Sequence, residues 1–256
     1  MALSQRRARV IERLRARRTR ERDRLVLVEG VRAVSEALAA GAETRFAVTS
    51  PRLGATGAGA ALRARLADVE TTETTDEELR SVADTVSPQG VLLVCREPEA
   101  PGGWEGGGRL LVLDGVQDPG NVGTLVRGAV AFAIDGVVCL DGTVDPWGAK
   151  SVRASAGSVF RTRLARTSAE DTLARLAELD VPLLVADAAG EDARAFRGLS
   201  RFALVIGNEG AGVREELRAA AHATVGVPLP GPSESLNAGV AGSILMHTLT
   251  EEGELG

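Results

Sequence analysis

Three apolar runs in the second half of this chain each lead into a glycine-rich loop that carries polar residues. One is Leu204-Val-Ile-Gly-Asn-Glu-Gly-Ala-Gly212. Another is Val227-Pro-Leu-Pro-Gly-Pro-Ser-Glu-Ser-Leu-Asn-Ala-Gly239. The third loop is Asp118-Pro-Gly-Asn-Val-Gly-Thr-Leu-Val-Arg127. Loops that keep Asn, Glu and Ser beside glycine usually hold a ligand rather than merely turn the chain. Three strand-to-loop transitions of one type imply one site built from three loops.

The rest of the chain has the same alternation of short apolar runs and helical periodicity. In the first half, strands are expected at 25–29, 45–49 and 91–95, and helices at 30–40, 60–67 and 76–83, with Thr75 as N-cap of the last. In the second half, strands are expected at 110–113, 136–140, 163–165, 182–186, 202–206 and 223–227. Helices are expected at 122–132, 150–155, 169–178, 213–220 and 237–250. The strands are unbroken apolar runs, the pattern of a parallel sheet covered on both faces, and the class is α/β. Pro and Gly dominate residues 97–108, where periodicity stops. The expected division is therefore a smaller α/β domain over 1–96, a linker that is either flexible or pinned by Trp104, and a second domain over 109–256.

With 44% apolar and 25% charged residues the chain is globular, and its five Phe, two Trp and no Tyr leave few platforms for stacking bases. Cys95 and Cys139 sit singly in apolar runs, which reads as buried hydrophobes in a reducing compartment rather than a metal site or disulfide. His222 and His247 are isolated and read as structural. No run is long enough to span a bilayer and no secretory h-region opens the chain, so a cytoplasmic protein is expected, with no membrane and no metal among its partners. The net charge of −5 argues against nucleic acid, but its distribution argues for it. Residues 1–24 hold ten arginines against Glu12, Glu21 and Asp23, a surplus of seven, so the remainder carries −12. This reads as a basic arm on an acidic body, or alternatively as a solvated amphipathic helix, since Val10, Ile11 and Leu14 keep helical spacing. Phosphate contact is favoured, with Arg6, Arg7, Arg9, Arg13, Arg17 and Arg18 as the candidates.

Each loop residue also has a plain structural reading. Asn121 is placed as the N-cap of the helix that follows. Arg127 lies more than one turn in, among apolar neighbours, and needs a partner. Glu209 suits a helix start, and Ser235 with Asn237 suits a turn and N-cap. The partial glycine pattern at 120 and 123 lacks the spacing of a dinucleotide fingerprint, so a nucleotide-dependent oxidoreductase is disfavoured.

Taken together, Asn121-Val-Gly-Thr-Leu-Val-Arg127, Gly207-Asn-Glu-Gly210 and Ser233-Glu-Ser-Leu-Asn237 resemble, in order and spacing, the three motifs of SpoU-type (TrmH-like) RNA ribose methyltransferases of the SPOUT superfamily. The stretch Asp145-Pro-Trp-Gly-Ala-Lys-Ser-Val-Arg-Ala-Ser-Ala-Gly157 is similar to the family's segment between the first two motifs. The basic helix leading into Leu-Val-Glu-Gly-Val-Arg is similar to a ribosomal-protein-like substrate-binding domain. The resemblance implies a C-terminal SPOUT domain with a parallel sheet and deep trefoil knot, preceded by a smaller α/β RNA-binding domain. It also implies S-adenosylmethionine as cofactor, a homodimer, and 2′-O-ribose methylation of structured RNA, ribosomal RNA ahead of transfer RNA. The alternative is a non-catalytic RNA-binding protein of the same fold. By carry-over, Gly207, Asn208, Gly210, Val227, Leu229 and Leu236 line the cofactor pocket. Arg127, Asn121, Glu209, Ser235 and Asn237 serve the chemistry, with Glu209 meeting Arg127 across the dimer, and Arg153 joins the RNA contacts. The chain departs from the family at Ala238-Gly239 and at Gly128-Ala-Val130, which affects helix packing or dimer contacts rather than a proposed catalytic residue.

Overall fold

The computed structural model describes residues 3–99 and 108–251, so most of the expected 97–108 linker, with Trp104, lies outside the described residues. In chain order the elements are α1 (Gln5–Arg13), α2 (Arg17–Asp23), β1 (Leu25–Glu29), α3 (Val31–Ala39), β2 (Thr44–Thr49), α4 (Gly57–Arg65), β3 (Thr71–Glu73), α5 (Asp76–Val82) and β4 (Val91–Arg96). There follow β5 (Arg109–Asp114), α6 (Pro119–Ala131), β6 (Gly136–Leu140), α7 (Ala149–Ala154), β7 (Arg163–Thr167), α8 (Ala169–Glu178), β8 (Leu183–Asp192), β9 (Phe202–Gly207), α9 (Glu215–Ala219), β10 (Ala223–Gly226) and α10 (Ala238–Thr250). They form two compact units, one from Met1–Glu99 with Asp145–Arg161, the other from Ala100–Val144 with Thr162–Gly256. The segment 145–161 thus belongs by its contacts with the first half, whereas a single division at the linker assigns it to the second.

The first unit holds a four-stranded sheet in the order β1-β4-β2-β3. In it β4 runs antiparallel to both neighbours and β3 parallel to β2. Leu27, Val48, Leu92 and Val94 bury one face against Ile11, Leu14 and Leu79. The expected basic arm is therefore a folded helix. Ser4 caps α1 by accepting from Arg7 N, and Ile11 at 0% exposure is a core residue. Arg20 is also buried. It donates to Asp145 at 2.6 and 2.9 Å and to the carbonyls of Leu14 and Arg15 at 2.7 and 2.8 Å. Asp145 in turn accepts from Trp147 N at 3.0 Å. This pairing across 125 residues fastens the returning segment, as a buried charge requires a partner.

The second unit holds a six-stranded, wholly parallel sheet in the order β10-β8-β9-β5-β6-β7. One face, with Leu110, Val112, Val138, Val185 and Val205, packs on Ala169, Leu176 and Leu217 from α8 and α9. On the other side α10 packs on α6 and β9. The contact is close because it is made at glycines. A Cβ built on Gly242 would lie 2.3 Å from Leu125 Cδ2, and one on Gly128 would lie 2.8 Å from Met246 Cε. One strand departs from regular pairing. In β8, Val185 faces Thr224 and the next pair is Glu191 with Val225, so residues 186–190 leave the ladder.

Candidate active site

A cleft of about 620 Å³ opens at the carboxyl ends of β8, β9 and β10, where parallel sheets place their ligands. It brings together every expected cofactor residue: Gly207, Asn208, Gly210, Val227, Leu229 and Leu236. It also collects Glu209, Ser235 and Asn237, together with Ile206, Ala241 and Leu245. Two of the three loops therefore form its walls. The third, at the start of α6, reaches it through one side chain. Asn121 Nδ2 donates to Glu209 Oε1 at 2.8 Å.

The 207–214 loop is a self-supporting turn. Asn208 and Gly212 exchange backbone hydrogen bonds of 3.0 and 2.9 Å. Asn208 Oδ1 accepts from Gly210 N and Ala211 N, and its Nδ2 donates to the carbonyl of Gly115 at 2.8 Å. The side chain of Asn208 thus shapes the loop, and its place in the cleft follows from that. Gly207 is required by crowding rather than by dihedral angle, because a Cβ there would sit 2.4 Å from Gly212 C and 2.5 Å from Val213 N. The far end of the loop is fastened by Arg214, whose backbone and Nε donate to buried Asp114 at 2.8 and 2.6 Å.

Glu209 accepts from Gln117 N at 3.2 Å and Asp118 N at 3.4 Å as well as from Asn121. Burial raises its carboxyl, but the bonds donated by Asn121 and by the backbone groups of Glu209, Gln117 and Asp118 outweigh this and hold it below the ordinary glutamate range. It is a fixed anion at neutral pH. Asn121 is free for this because it is not the helix cap. Asp118 caps α6, accepting from Asn121 N at 2.8 Å, with Pro119 in the first turn. Asn237 does cap α10, its Oδ1 accepting from Gly239 N and Val240 N. Ser235 is exposed, and its carbonyl accepts from Ser233 Oγ.

Arg127 stands apart from the cleft. It is exposed on α6 and, among the described residues, makes no hydrogen bond or ion pair, so the pairing of Glu209 within one chain is with Asn121. Sequence reasoning missed Asp187 and Arg218, which also line the cleft and bond to each other at 2.9 Å. The available signal was position, since Asp187 directly follows the apolar run of β8.

The basic candidates divide into two sets. Arg7 pairs with Glu70 and Thr72 and lies 5.0 Å over the Phe46 ring. Arg17 pairs with Glu21, Arg13 with Asp23, and Arg153 with Glu29 and Asp84. Arg6, Arg9 and Arg18 are exposed with no partner among the described residues. Cys95 is inert, its thiol pushed up to about 12 by burial. Among the described residues there is no His/Cys/Asp/Glu cluster suited to a metal, and no helix is long and apolar enough to cross a membrane.

The family model described as the SpoU rRNA Methylase family matches residues 108–247, the stretch that contains all three loops. The chain belongs to this family. A second model, the MRM3-like substrate binding domain, matches residues 5–93 of this SpoU-family protein. It is 35% identical over 175 residues to the 23S rRNA (guanosine(2553)-2'-O)-methyltransferase RlmP of Bacillus subtilis, which is 68% of this chain and 70% of that one. An AdoMet-bound rRNA methyltransferase from Sinorhizobium meliloti superposes with a TM-score of 0.81 at 28% identity, over 97% of this chain and 95% of that one. The SpoU methyltransferase AviRb from Streptomyces viridochromogenes, in complex with the cofactor AdoMet, gives 0.80 at 25% identity, over 96% of each. The expected family and the expected α/β class with a parallel sheet are both borne out.

Proposed function

We propose that the chain transfers a methyl group from S-adenosylmethionine to a ribose 2′-hydroxyl in ribosomal RNA. The observation that carries this reading is the cleft, which gathers residues from two separate glycine loops and, through Asn121, the third, in a member of the SpoU family. Its size lies within the range of ligand pockets of about 300–1,000 Å³. Its chemistry fits the cofactor as well. Backbone groups at Gly207 and Gly210 suit the edge of an adenine, and Val227, Leu229 and Leu236 suit its faces. When bound, the cofactor supplies a methyl group made electrophilic by a sulfonium sulfur.

The residues of the chain position and stabilise. Holding the hydroxyl in line with the methyl group accounts for much of the rate in such a transfer. Arg127, with no partner among the described residues, is free to grip the target phosphate and to stabilise charge that develops as the hydroxyl loses its proton. A guanidinium is always protonated, so Arg127 is not itself the base. Glu209, held ionised by Asn121, offers an anchor for an arginine from a second copy of the chain. Ser235 and the amide nitrogen of Asn237 are available to the ribose. A homodimer is supported by Val240 and Ile244, apolar yet 46% and 39% exposed on α10, the helix that packs on the arginine-bearing α6. A knotted C-terminus is part of the proposal through membership of the SpoU family. Ribosomal rather than transfer RNA is supported by the substrate-binding match over 5–93 and by the rRNA methyltransferases among the relatives.

The test is transfer of labelled methyl to ribosomal RNA, to ribosomal subunits and to transfer RNA, with the product mapped by resistance to alkaline cleavage. Arg127→Ala is expected to lower transfer at least about 100-fold while cofactor binding is retained. Methylation of a base instead of a ribose, or of transfer RNA alone, would overturn the proposal.

A further inference from the structure

We propose that Asp187 binds the ribose hydroxyls of the cofactor and that Arg218 is the residue that positions it. The inference rests on the S-adenosylmethionine reading above and extends it to two side chains that the three loop motifs do not include.

The backbone presents Asp187 deliberately. Residues 186–190 leave the β8–β10 ladder, and Ala186, Asp187 and Ala188 line the cleft as a result. Two glycines make the excursion possible. A Cβ on Gly190 would lie 2.6 Å from Val225 C, and one on Gly226 would lie 2.8 Å from the Asp187 carbonyl oxygen. The carboxylate is then oriented from both sides. Oδ1 accepts from Ala189 N at 3.0 Å and Oδ2 from Arg218 NH1 at 2.9 Å. Arg218 is itself fixed, because its Nε donates to the Val213 carbonyl at 2.9 Å. The result is a rigid anion tied to the far end of the Gly207 loop. The Ala189 amide and Arg218 together hold it below the ordinary aspartate range against the cost of its burial.

The chemistry of the free acceptor sites selects the ligand group. An ionised carboxylate has about four acceptor sites, and two of these are filled by Ala189 and Arg218. The remaining two match the paired O–H donors of a cis-diol. An adenine amine would use only one. Topology agrees. In the order β10-β8-β9-β5, Glu209 and Asn121 lie toward β5 and Asp187 lies toward β10. The methyl group must face the Asn121–Glu209 side, which leaves the nucleoside portion for the β8 side. The Asp187 carboxylate is only part-buried in the open cleft, so the diol is favoured by the two hydrogen bonds it adds rather than by rescue of a buried acceptor.

The experiment is calorimetric titration of the full chain with S-adenosylhomocysteine and with its 2′,3′-dideoxy analogue. The unaltered protein is expected to bind the dideoxy compound at least tenfold more weakly. Asp187→Asn and Asp187→Ala are expected to lose most of that preference while their unliganded melting curves remain cooperative. Arg218→Ala should narrow the preference, and Arg218→Lys, which keeps a cationic donor, should restore at least threefold. Retained discrimination in both Asp187 variants overturns the assignment. Failure of Arg218→Lys to restore it overturns the positioning role. Binding of both compounds equally by the unaltered protein overturns this proposal alone, whereas no binding of either overturns the cofactor reading with it.

Discussion

Gly207→Ala is the sharpest single perturbation of the cleft. The added methyl would lie 2.4 Å from Gly212 C, 2.5 Å from Val213 N and 2.7 Å from Gly212 O, all backbone atoms. Ordinary contact begins near 3.4 Å, so the two arms of the loop must separate by about 1 Å. The Asn208–Gly212 hydrogen bonds, now 3.0 and 2.9 Å, would then stretch beyond useful length. Losing two backbone bonds at ~1 kcal/mol each destabilises the loop by about 2 kcal/mol. For a chain of this size that corresponds to a melting shift of roughly 4–8 °C if the loop unfolds with the rest. A ligand that needs the undistorted loop would bind up to ~30-fold more weakly. Gly210→Ala is the control, because its methyl would meet only Asn208 Oδ1, at 3.6 Å. Differential scanning calorimetry and titration with S-adenosylhomocysteine measure both quantities. If Gly207→Ala melts like Gly210→Ala, the crowding argument is wrong.

Three further outcomes are expected. Arg20→Ala removes two bonds from buried Asp145 and should cost about 3–5 kcal/mol in urea unfolding; a loss below ~1 kcal/mol would show that the pair is dispensable. Because the folded Glu209 carboxyl lies below its unfolded value of about 4.3, its contribution is present above that pH and is lost as pH falls through the lower folded value. The stability gap between wild type and Asn121→Ala should therefore shrink on acidification below about pH 4, and a gap constant from pH 6 to pH 3 would exclude an ionised partner. Replacing exposed Arg6, Arg9 and Arg18 together by Gln should lower the salt slope of RNA binding by about 0.7–0.9 per lost phosphate contact. An unchanged slope would remove all three from the RNA surface.

The expected elements agree with the structure where periodicity is local. The strands at 25–29 and 136–140 and the helix at 169–178 coincide with those observed. The helix α6 starts at Pro119 rather than at the expected Val122: Asn121 is a good N-cap residue, yet Asp118-Pro119 is the better signal, an acceptor followed by a residue that fits the first turn. The cleft residues at 207–210, 227–229 and 235–237 were legible because glycine and polar residues mark loops directly after apolar strands. Asp187 also follows an apolar run, but what brings it into the cleft is the excursion of β8, set by crowding against Val225 and Gly226 some 35 or more residues away, which no local pattern records. The fate of the arginines was equally hidden. Nothing local distinguishes Arg20, buried on Asp145, from exposed Arg18.

The Arg20–Asp145 pair also orders the events of synthesis. A nascent chain that has released only its first 99 residues already carries the guanidinium meant for the interior, but its carboxylate is still 125 positions behind. Until that aspartate emerges, the amino-terminal unit is a structure with a charge in need of water, and it should stay open to chaperones and proteases. Excising residues 1–96 as an independent module would make that waiting state permanent. A fragment that carries Asp145–Arg161 grafted behind the first unit should fold where the shorter one does not.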